Sequence, residues 1–174
     1  MNRQDCMELL LTRRSVRRFT SQPISREDLE AIANAAIHAP SAMNRQTWQF
    51  TVTQDKAKIA RLAKVIGEVL GREGYDIYDP AALIITSNLR SGGFGSEDNA
   101  CALENIFLAA HALGIGLVWI NQLRGICDEP RIRAVLREMQ IPDDHVVFGM
   151  AALGYADGEA PAARPRKEGY AVVF

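Results

Sequence analysis

One continuous stretch, residues 97–120, constrains the fold of this chain more than any other. Its first part, 97–113, predicts a helix that is apolar on nearly every side, and Gly114 ends that pattern. The run IGLVWI (115–120) then predicts a strand that is buried on both faces. Neither element has a polar side to show to water, so both need cover from other elements. The stretch therefore predicts a central helix in a layered domain or in a dimer.

Helix and strand patterns alternate along the rest of the chain. Helices are predicted to begin after caps at Asp5, Ser25, Asp55, Ser96 and Asp128, and strands are predicted at 47–54, 81–87 and 145–153. The strands number four or five and their connections are uneven. This favours an α+β domain, a mixed β-sheet flanked by helices, over a regular doubly wound fold. Residues 1–174 show neither repeats nor a second domain, so we predict one domain.

Composition excludes several classes of function. Twenty basic and 21 acidic residues give a net charge of −1, so no bulk charge attracts nucleic acid or a membrane surface. The longest apolar stretch, 106–120, is shorter than the ~20 residues of a membrane span. Cys6, Cys101 and Cys127 are widely spaced, which favours reduced thiols. We expect a cytoplasmic protein with no nucleic-acid or membrane partner.

The common catalytic motifs are missing from the sequence. It contains no GxGxxG, no P-loop, no HExxH and no GxSxG, and its three histidines stand alone. We therefore predict no metal site and no catalytic side chain. A cofactor must carry any chemistry, with the protein supplying orientation and electrostatics.

Positive charge is concentrated in two short segments. RRSVRRF (13–19) places four arginines in seven positions, and ARPRK (163–167) supplies a second cluster. Guanidinium groups bind phosphate through paired hydrogen bonds. In an extended chain, Arg13, Ser15 and Arg17 share one face. Two such clusters can converge on one phosphate; the alternatives are a solvated helix end for the first and a basic tail for the second.

A polar loop and the buried strand offer contacts for the rest of a ligand. APSAMNRQTWQF (39–50) is rich in hydroxyl and amide groups that suit the edge of a flat heterocycle, although an ordinary turn around Pro40 and Asn44 has the same composition. The strand at 115–120 brings backbone N–H groups and Trp119 to one end.

These four segments, in this order, resemble the FMN-dependent nitroreductase family over essentially the whole chain. The resemblance implies a nitroreductase-like, intertwined homodimer with FMN at the interface. By resemblance, the phosphate and ribityl end is held by Arg13, Arg14 and Ser15, with Arg17 near the flavin pyrimidine. Also by resemblance, the partner subunit supplies Pro40, Ser41 and Ala42, with Asn44 and Gln46 in the same loop. Val118, Trp119 and Ile120 would run beside the isoalloxazine, and Arg164 or Arg166, with Arg166 favoured, would close on the phosphate.

The resemblance implies ping-pong electron transfer from NADH or NADPH to nitroaromatic, quinone or similar small-molecule acceptors. Ala42 and Thr47 depart from the family pattern of a second serine and a proline, which leaves the substrate open. One alternative is a non-catalytic module that binds a phosphorylated ligand or nucleic acid, and another is a dehalogenase, dehydrogenase or sensor that keeps FMN. The segment from about 155 to 174 ends in YAVVF and is predicted to cross to the partner subunit.

Overall fold

The computed structural model describes residues 2–159, 161–167, 169 and 172, which form five helices and four strands. The helices are α1 (Arg3–Thr12), α2 (Arg26–Ile37), α3 (Lys56–Leu70), α4 (Gly95–Ala112) and α5 (Pro130–Glu138), with a short 3₁₀ turn at Ala42–Asn44. The strands are β1 (Trp48–Thr53), β2 (Ala82–Leu89), β3 (Gly116–Ile120) and β4 (His145–Gly154). All four predicted strand positions are thus confirmed to within about two residues.

The strands form one sheet in the order β1-β2-β4-β3, and each neighbouring pair is antiparallel. Among the described residues, the parallel pairing that a mixed sheet implies is a single bridge between Ser15 and Leu117. The predicted α+β class is confirmed, with the parallel component limited to this bridge.

Helices cover both faces of the sheet. Because side chains alternate along a strand, β2 sends Leu83 and Ile85 to one face and Ala82 and Ile84 to the other. The first face packs against α3 and α5, and the second packs against α2 and α4. Helix α4 is buried along one side by Leu103, Ile106, Phe107 and Ala110, whereas Cys101 and Glu104 are exposed, so the predicted cover on nearly every side is not seen within one protomer.

Two of the predicted helix caps are confirmed. The Ser25 hydroxyl accepts the Asp28 N–H, and the Asp55 carboxylate accepts the N–H groups of Ala57 and Lys58. These contacts satisfy donors that a helix leaves unpaired in its first turn.

Three of the predicted caps are wrong. Asn2 caps α1, and Asp5 is its reciprocal partner at the third helical position. Phe94 occupies the cap position of α4 without a side-chain bond, since Ser96 donates to Glu97 instead. Glu129 caps α5, because the carboxylate of Asp128 is already engaged by arginines.

The C-terminal end of the chain limits one other prediction. Residues 170, 171, 173 and 174 of the predicted terminal strand lie outside the described residues.

In the part that is described, none of the helices has the length and hydropathy that a bilayer crossing requires. All three cysteines are free, with Cys6 and Cys101 exposed and Cys127 buried.

Candidate anion and cofactor site

The two basic segments come together in one cavity of about 320 Å³, which we call the arginine cavity. Residues from opposite ends of the chain line it: Arg13, Arg14, Ser15, Arg17, Pro161, Ala162, Arg164 and Arg166. A second cavity of about 280 Å³ shares Ser15, Arg17 and Pro161 with it. The convergence of the two clusters, predicted from charge alone, is present in the fold.

Backbone hydrogen bonds hold the first segment against the sheet. The Val16 N–H donates to the Leu117 carbonyl at 2.7 Å, which ties the segment to the edge of β3. The Thr20 N–H donates to Tyr155 at 2.8 Å, and the Asp157 N–H donates to Arg18 at 3.0 Å. The chain that leaves β4 therefore runs beside the first segment, and Arg164 and Arg166 follow within ten residues.

The face prediction for this segment is only partly correct. Val16 is buried, and its neighbours Ser15 and Arg17 line the cavity. Arg14, predicted to lie on the opposite face, lines the same cavity as Arg13. Strict alternation fails because the segment is not a strand: only Ser15 and Phe19 make isolated bridges.

Each arginine of the first segment has a different local support. The Arg13 guanidinium lies 5.9 Å from the centre of the Phe107 ring, and its Nε lies 3.8 Å from the Glu104 carboxylate. Arg14 donates to the carbonyls of Leu11 and Arg13, both at 2.8 Å. No carboxylate lines the cavity within the described residues. The five guanidinium groups of the cavity repel one another, and the one long ion pair of Arg13 with Glu104 offsets only part of this charge, so an anion bound among them is stabilised.

The cations also act on a histidine of α4. The His111 Nε2 lies 2.9 Å from the hydroxyl of Thr12, the residue that precedes Arg13. Burial lowers the pKa of His111, and the charges of Arg13 and Arg14 lower it further. The pKa of His111 is therefore sensitive to the charge of the arginine cavity.

Of the three predicted site residues on strand β3, one has an exposed side chain and two have buried side chains. Val118 and Ile120 are each 2% exposed and pack in the core beneath the sheet. Trp119 points the other way and is 44% exposed, with its ring 5.9 Å from Phe107. A bound flavin could meet the side chain of Trp119, whereas Val118 and Ile120 could offer only backbone atoms.

A glycine makes room for the Trp119 ring. A Cβ at Gly149 on neighbouring β4 would stand 2.8 Å from the Trp119 Nε1 and 2.7 Å from a Leu103 methyl. Because Gly149 has no Cβ, the indole can lie against the sheet beside Phe107. Arg13, Phe107 and Trp119 thus form a continuous line from the arginine cavity to the end of β3.

The polar loop between α2 and β1 is held by its own hydrogen bonds. The Ser41 hydroxyl accepts the Gln46 N–H, and the Gln46 side-chain amide donates to the Asn44 side chain at 2.8 Å. Met43, Asn44 and Gln46 all have positive φ, a backbone conformation that costs free energy in non-glycine residues. Asp98, 6% exposed in the first turn of α4, accepts the Ala42 N–H at 2.8 Å.

Within one protomer the loop does not reach the arginines. None of Pro40, Ser41, Ala42, Asn44 and Gln46 lines the arginine cavity of the described chain. Asp98 binds the loop, and Phe107 contacts Arg13. These two residues are nine positions apart on α4, a distance of about 14 Å along the helix axis. A site built from both parts needs the loop of another copy, as the resemblance implies.

Sequence reasoning missed four residues that support the site. Glu104 and Phe107 contact Arg13, Asp98 holds the loop, and Tyr78 lies 6.0 Å below the Arg17 guanidinium. Asp98 and Glu104 are, with Glu97, the acidic residues of a largely apolar helix, and that contrast was a usable signal. Tyr78 lies in a connection without any pattern, so nothing in the sequence marked it.

Comparisons with known proteins identify relatives of the whole chain. The model of the Nitroreductase family matches residues 10–82 and 77–155. The chain is 33% identical over 162 residues to an Archaeoglobus fulgidus protein named "Putative NADH dehydrogenase/NAD(P)H nitroreductase", covering 90% of this chain and 88% of that protein. A Staphylococcus epidermidis protein named NADPH-dependent oxidoreductase is 30% identical, with 91% and 68% covered. The crystal structure of a Bacteroides fragilis nitroreductase with bound FMN is 35% identical, covers 100% of both chains and has a TM-score of 0.94.

Proposed function

Because this chain belongs to the nitroreductase family, we propose that it is an FMN-dependent oxidoreductase that takes electrons from NADH or NADPH. Its acceptors are nitroaromatics, quinones or similar electron-poor small molecules. The comparisons confirm the class of enzyme that the sequence predicted. The observation that carries the proposal is the arginine cavity, where cations from both ends of the chain line one space.

The residues of the arginine cavity fit the phosphate of a mononucleotide. Arg13, Arg14 and Ser15 offer donors from one side, and Arg164 and Arg166 offer donors from the other. A charge-assisted hydrogen bond contributes about 1.5–3 kcal/mol, so two or three of them suffice for tight retention. Both Arg164 and Arg166 line the cavity, and the preference for Arg166 stays a prediction.

When bound, FMN supplies the chemistry by accepting a hydride from the nicotinamide and returning electrons to the acceptor. The chain's own groups orient the ring system and set its electrostatics. The exposed Trp119 ring, backed by the buried Phe107, would cover one side of the bound ring system. If Arg17 lies near the pyrimidine, as the resemblance implies, its guanidinium would make electron uptake easier because it would stabilise negative charge there.

A homodimer completes this site. The loop of Pro40, Ser41 and Ala42 would come from the partner subunit, since it lies away from the arginines of its own chain. Helix α1 supports association, because Met7, Leu10 and Leu11 are each at least half exposed. The segment from about 155 to 174 would cross to the partner, and the holoprotein should sediment as a dimer at micromolar concentration.

An absorbance spectrum of the purified protein tests the proposed function. We expect the visible bands of an oxidised flavin, which NADH or NADPH should bleach under anaerobic conditions and an electron-poor acceptor should restore. A module that only binds phosphate would be colourless and would take up no added FMN. A flavoprotein that nicotinamides bleach but no nitro compound or quinone restores would keep the cofactor and overturn the acceptor class.

A further inference from the structure

The connection between α3 and β2 contains a strained turn. Ile77, Tyr78 and Asp79 have φ values of +56°, +66° and +41°, so three consecutive non-glycine residues occupy the left-handed region. Such residues cost free energy singly, and a β-branched residue such as Ile77 is rarely found there. The surrounding structure must therefore hold this turn in place.

Several contacts supply that support. The side chain of Ile77 is fully buried in the core between the sheet and α3. Asp76 accepts the Tyr78 N–H through its carboxylate at 2.8 Å and the Asp79 N–H through its carbonyl at 3.0 Å. Lys56, the first residue of α3, binds the Asp79 carboxylate at 2.8 Å. The turn is fixed on both sides of Tyr78.

The strained turn presents Tyr78 to Arg17, which lines the arginine cavity. Burial does not explain the position of Tyr78, since its side chain is 38% exposed. Instead the ring lies under the guanidinium of Arg17, 6.0 Å from carbon to ring centre, a cation–π contact. Arg17 lines both the arginine cavity and the cavity next to it, and it forms no ion pair with any described residue.

We propose that Tyr78 is a positioning residue that holds the guanidinium of Arg17 at the arginine cavity, and that the strained turn exists to place its ring there. The effect on the cofactor rests on the proposed function. The Tyr78 ring holds the long, flexible side chain of Arg17 in place before a ligand binds. Less side-chain entropy is then lost on binding than for an exposed arginine without such a contact. The contact needs the face of an aromatic ring and makes no use of the hydroxyl.

A double-mutant cycle on FMN affinity tests this proposal. The variants are Tyr78→Leu, Arg17→Ala and the pair together, with Tyr78→Phe as the matched control that keeps the ring. We expect Tyr78→Leu to weaken FMN binding by about threefold to tenfold. Tyr78→Phe should stay within about twofold of the wild type, and Tyr78→Leu should cause no further loss once Arg17 is alanine.

Other outcomes of the cycle overturn the proposal. An equal loss from Tyr78→Leu in both backgrounds would mean that the ring only supports the fold. An unchanged affinity in Tyr78→Leu, or in Arg17→Ala, would also overturn it.

A second measurement does not depend on the cofactor. The ring should shift the NMR resonances of the Arg17 side chain, and Tyr78→Leu should remove that shift while Tyr78→Phe keeps it. If the wild-type protein binds no FMN, the proposed function fails, and this shift alone decides whether Tyr78 holds Arg17. Equal Arg17 resonances in the wild type and Tyr78→Leu overturn the proposal.

Discussion

Arg133 and the arginines of the arginine cavity differ in what surrounds their guanidinium groups. Arg133 is 6% exposed and donates to the Pro142 and His145 carbonyls and to the Asp128 carboxylate. Arg90 binds both oxygens of the same carboxylate, at 2.7 and 2.8 Å. We call Asp128, Arg90 and Arg133 the Asp128 cluster. The arginine cavity has more cations and, among the residues described, no lining acid.

This difference separates a structural role from a binding role. In the Asp128 cluster Arg133 makes three hydrogen bonds to acceptors of its own chain, so the arginine fastens the loop before α5 to the start of β4. In the arginine cavity the donors outnumber their acceptors, and the fold leaves charge for a ligand to neutralise. Both groups consist of arginines, and the number of acceptor oxygens near each guanidinium decides whether it has a structural role or a binding role.

The largest effect should come from removing two cavity arginines. The double variant Arg13→Ala and Arg166→Ala should weaken FMN binding by at least about a hundredfold, since each charge-assisted bond is worth about 1.5–3 kcal/mol. Fluorescence titration of the apoprotein with FMN measures this. The control Arg26→Ala removes an exposed arginine paired with Glu30 on α2 and should bind FMN like the wild type. Unchanged affinity in the double variant would contradict the phosphate site.

The Asp128 cluster should respond in the opposite way. Arg133→Met should lower the free energy of unfolding by about 2–3 kcal/mol, because the buried His145 carbonyl and the partly buried Pro142 carbonyl lose their donor. Arg13→Met, the matched change at the cavity, should alter it by about 1 kcal/mol or less, since Arg13 makes one long ion pair and one cation–π contact. Urea denaturation of both variants measures the two changes, and similar losses would remove the distinction between the clusters.

Low pH should weaken the Asp128 cluster by protonating the Asp128 carboxylate. Hydrogen bonds from Arg90 and Arg133 lower the pKa of Asp128 from 3.8 to about 2. Because the folded-state value is the lower one, ionised Asp128 stabilises the fold above pH 3.8, and this contribution disappears as the pH falls through about 2. Asp128→Asn should therefore destabilise the protein at neutral pH and flatten the pH dependence of its urea midpoint in that window.

A matched variant sharpens the acid measurement. Asp143→Asn removes an exposed partner of Arg137, whose hydrogen bond also lowers the pKa of Asp143. Its effect should be smaller, since Asp143 holds one arginine on the surface and Asp128 holds two. Parallel pH profiles for the wild type and Asp128→Asn would show that the cluster does not contribute to acid stability.

The sequence predicted those parts of the fold that have a local pattern. Strand positions follow from apolar runs, and the caps at Ser25 and Asp55 follow from side chains next to a helix start. The caps predicted at Ser96 and Asp128 failed because a more distant or competing partner takes the side chain. Asp128 binds Arg90 across the fold, and no spacing rule contains that contact.

The candidate site was predictable to the same extent. Two dense arginine segments in a nearly neutral chain indicated one anion site, and the fold places both at one cavity. The sequence did not reveal which side chains support them, because Glu104, Phe107 and Tyr78 contact the arginines only through tertiary packing. Val118 and Ile120 show the same limit: the resemblance placed them at the site, whereas strand alternation buries their side chains in the core.

The smallest expected effect concerns the histidine beside the arginine cavity. Arg13 and Arg14 lower the pKa of His111, in addition to the larger effect of burial. A phosphate dianion bound among these arginines offsets their charge, so FMN binding should raise the pKa of His111. NMR titration of the histidine ring protons, with and without FMN, measures this shift. By linkage, the protonated form of His111 should bind FMN more tightly than the neutral form.

His145 is the matched control for this titration. Burial, and to a smaller extent Arg133, lowers its pKa, and Asp144 opposes them. His145 begins β4, whereas Ala156, which pairs with the arginine segment, follows its end, a separation of about 33 Å along ten strand residues. FMN should leave the His145 titration unchanged. If His111 also titrates identically with and without FMN, the anion does not bind next to Arg13 and Arg14, and the cavity loses the feature that distinguishes it from the Asp128 cluster.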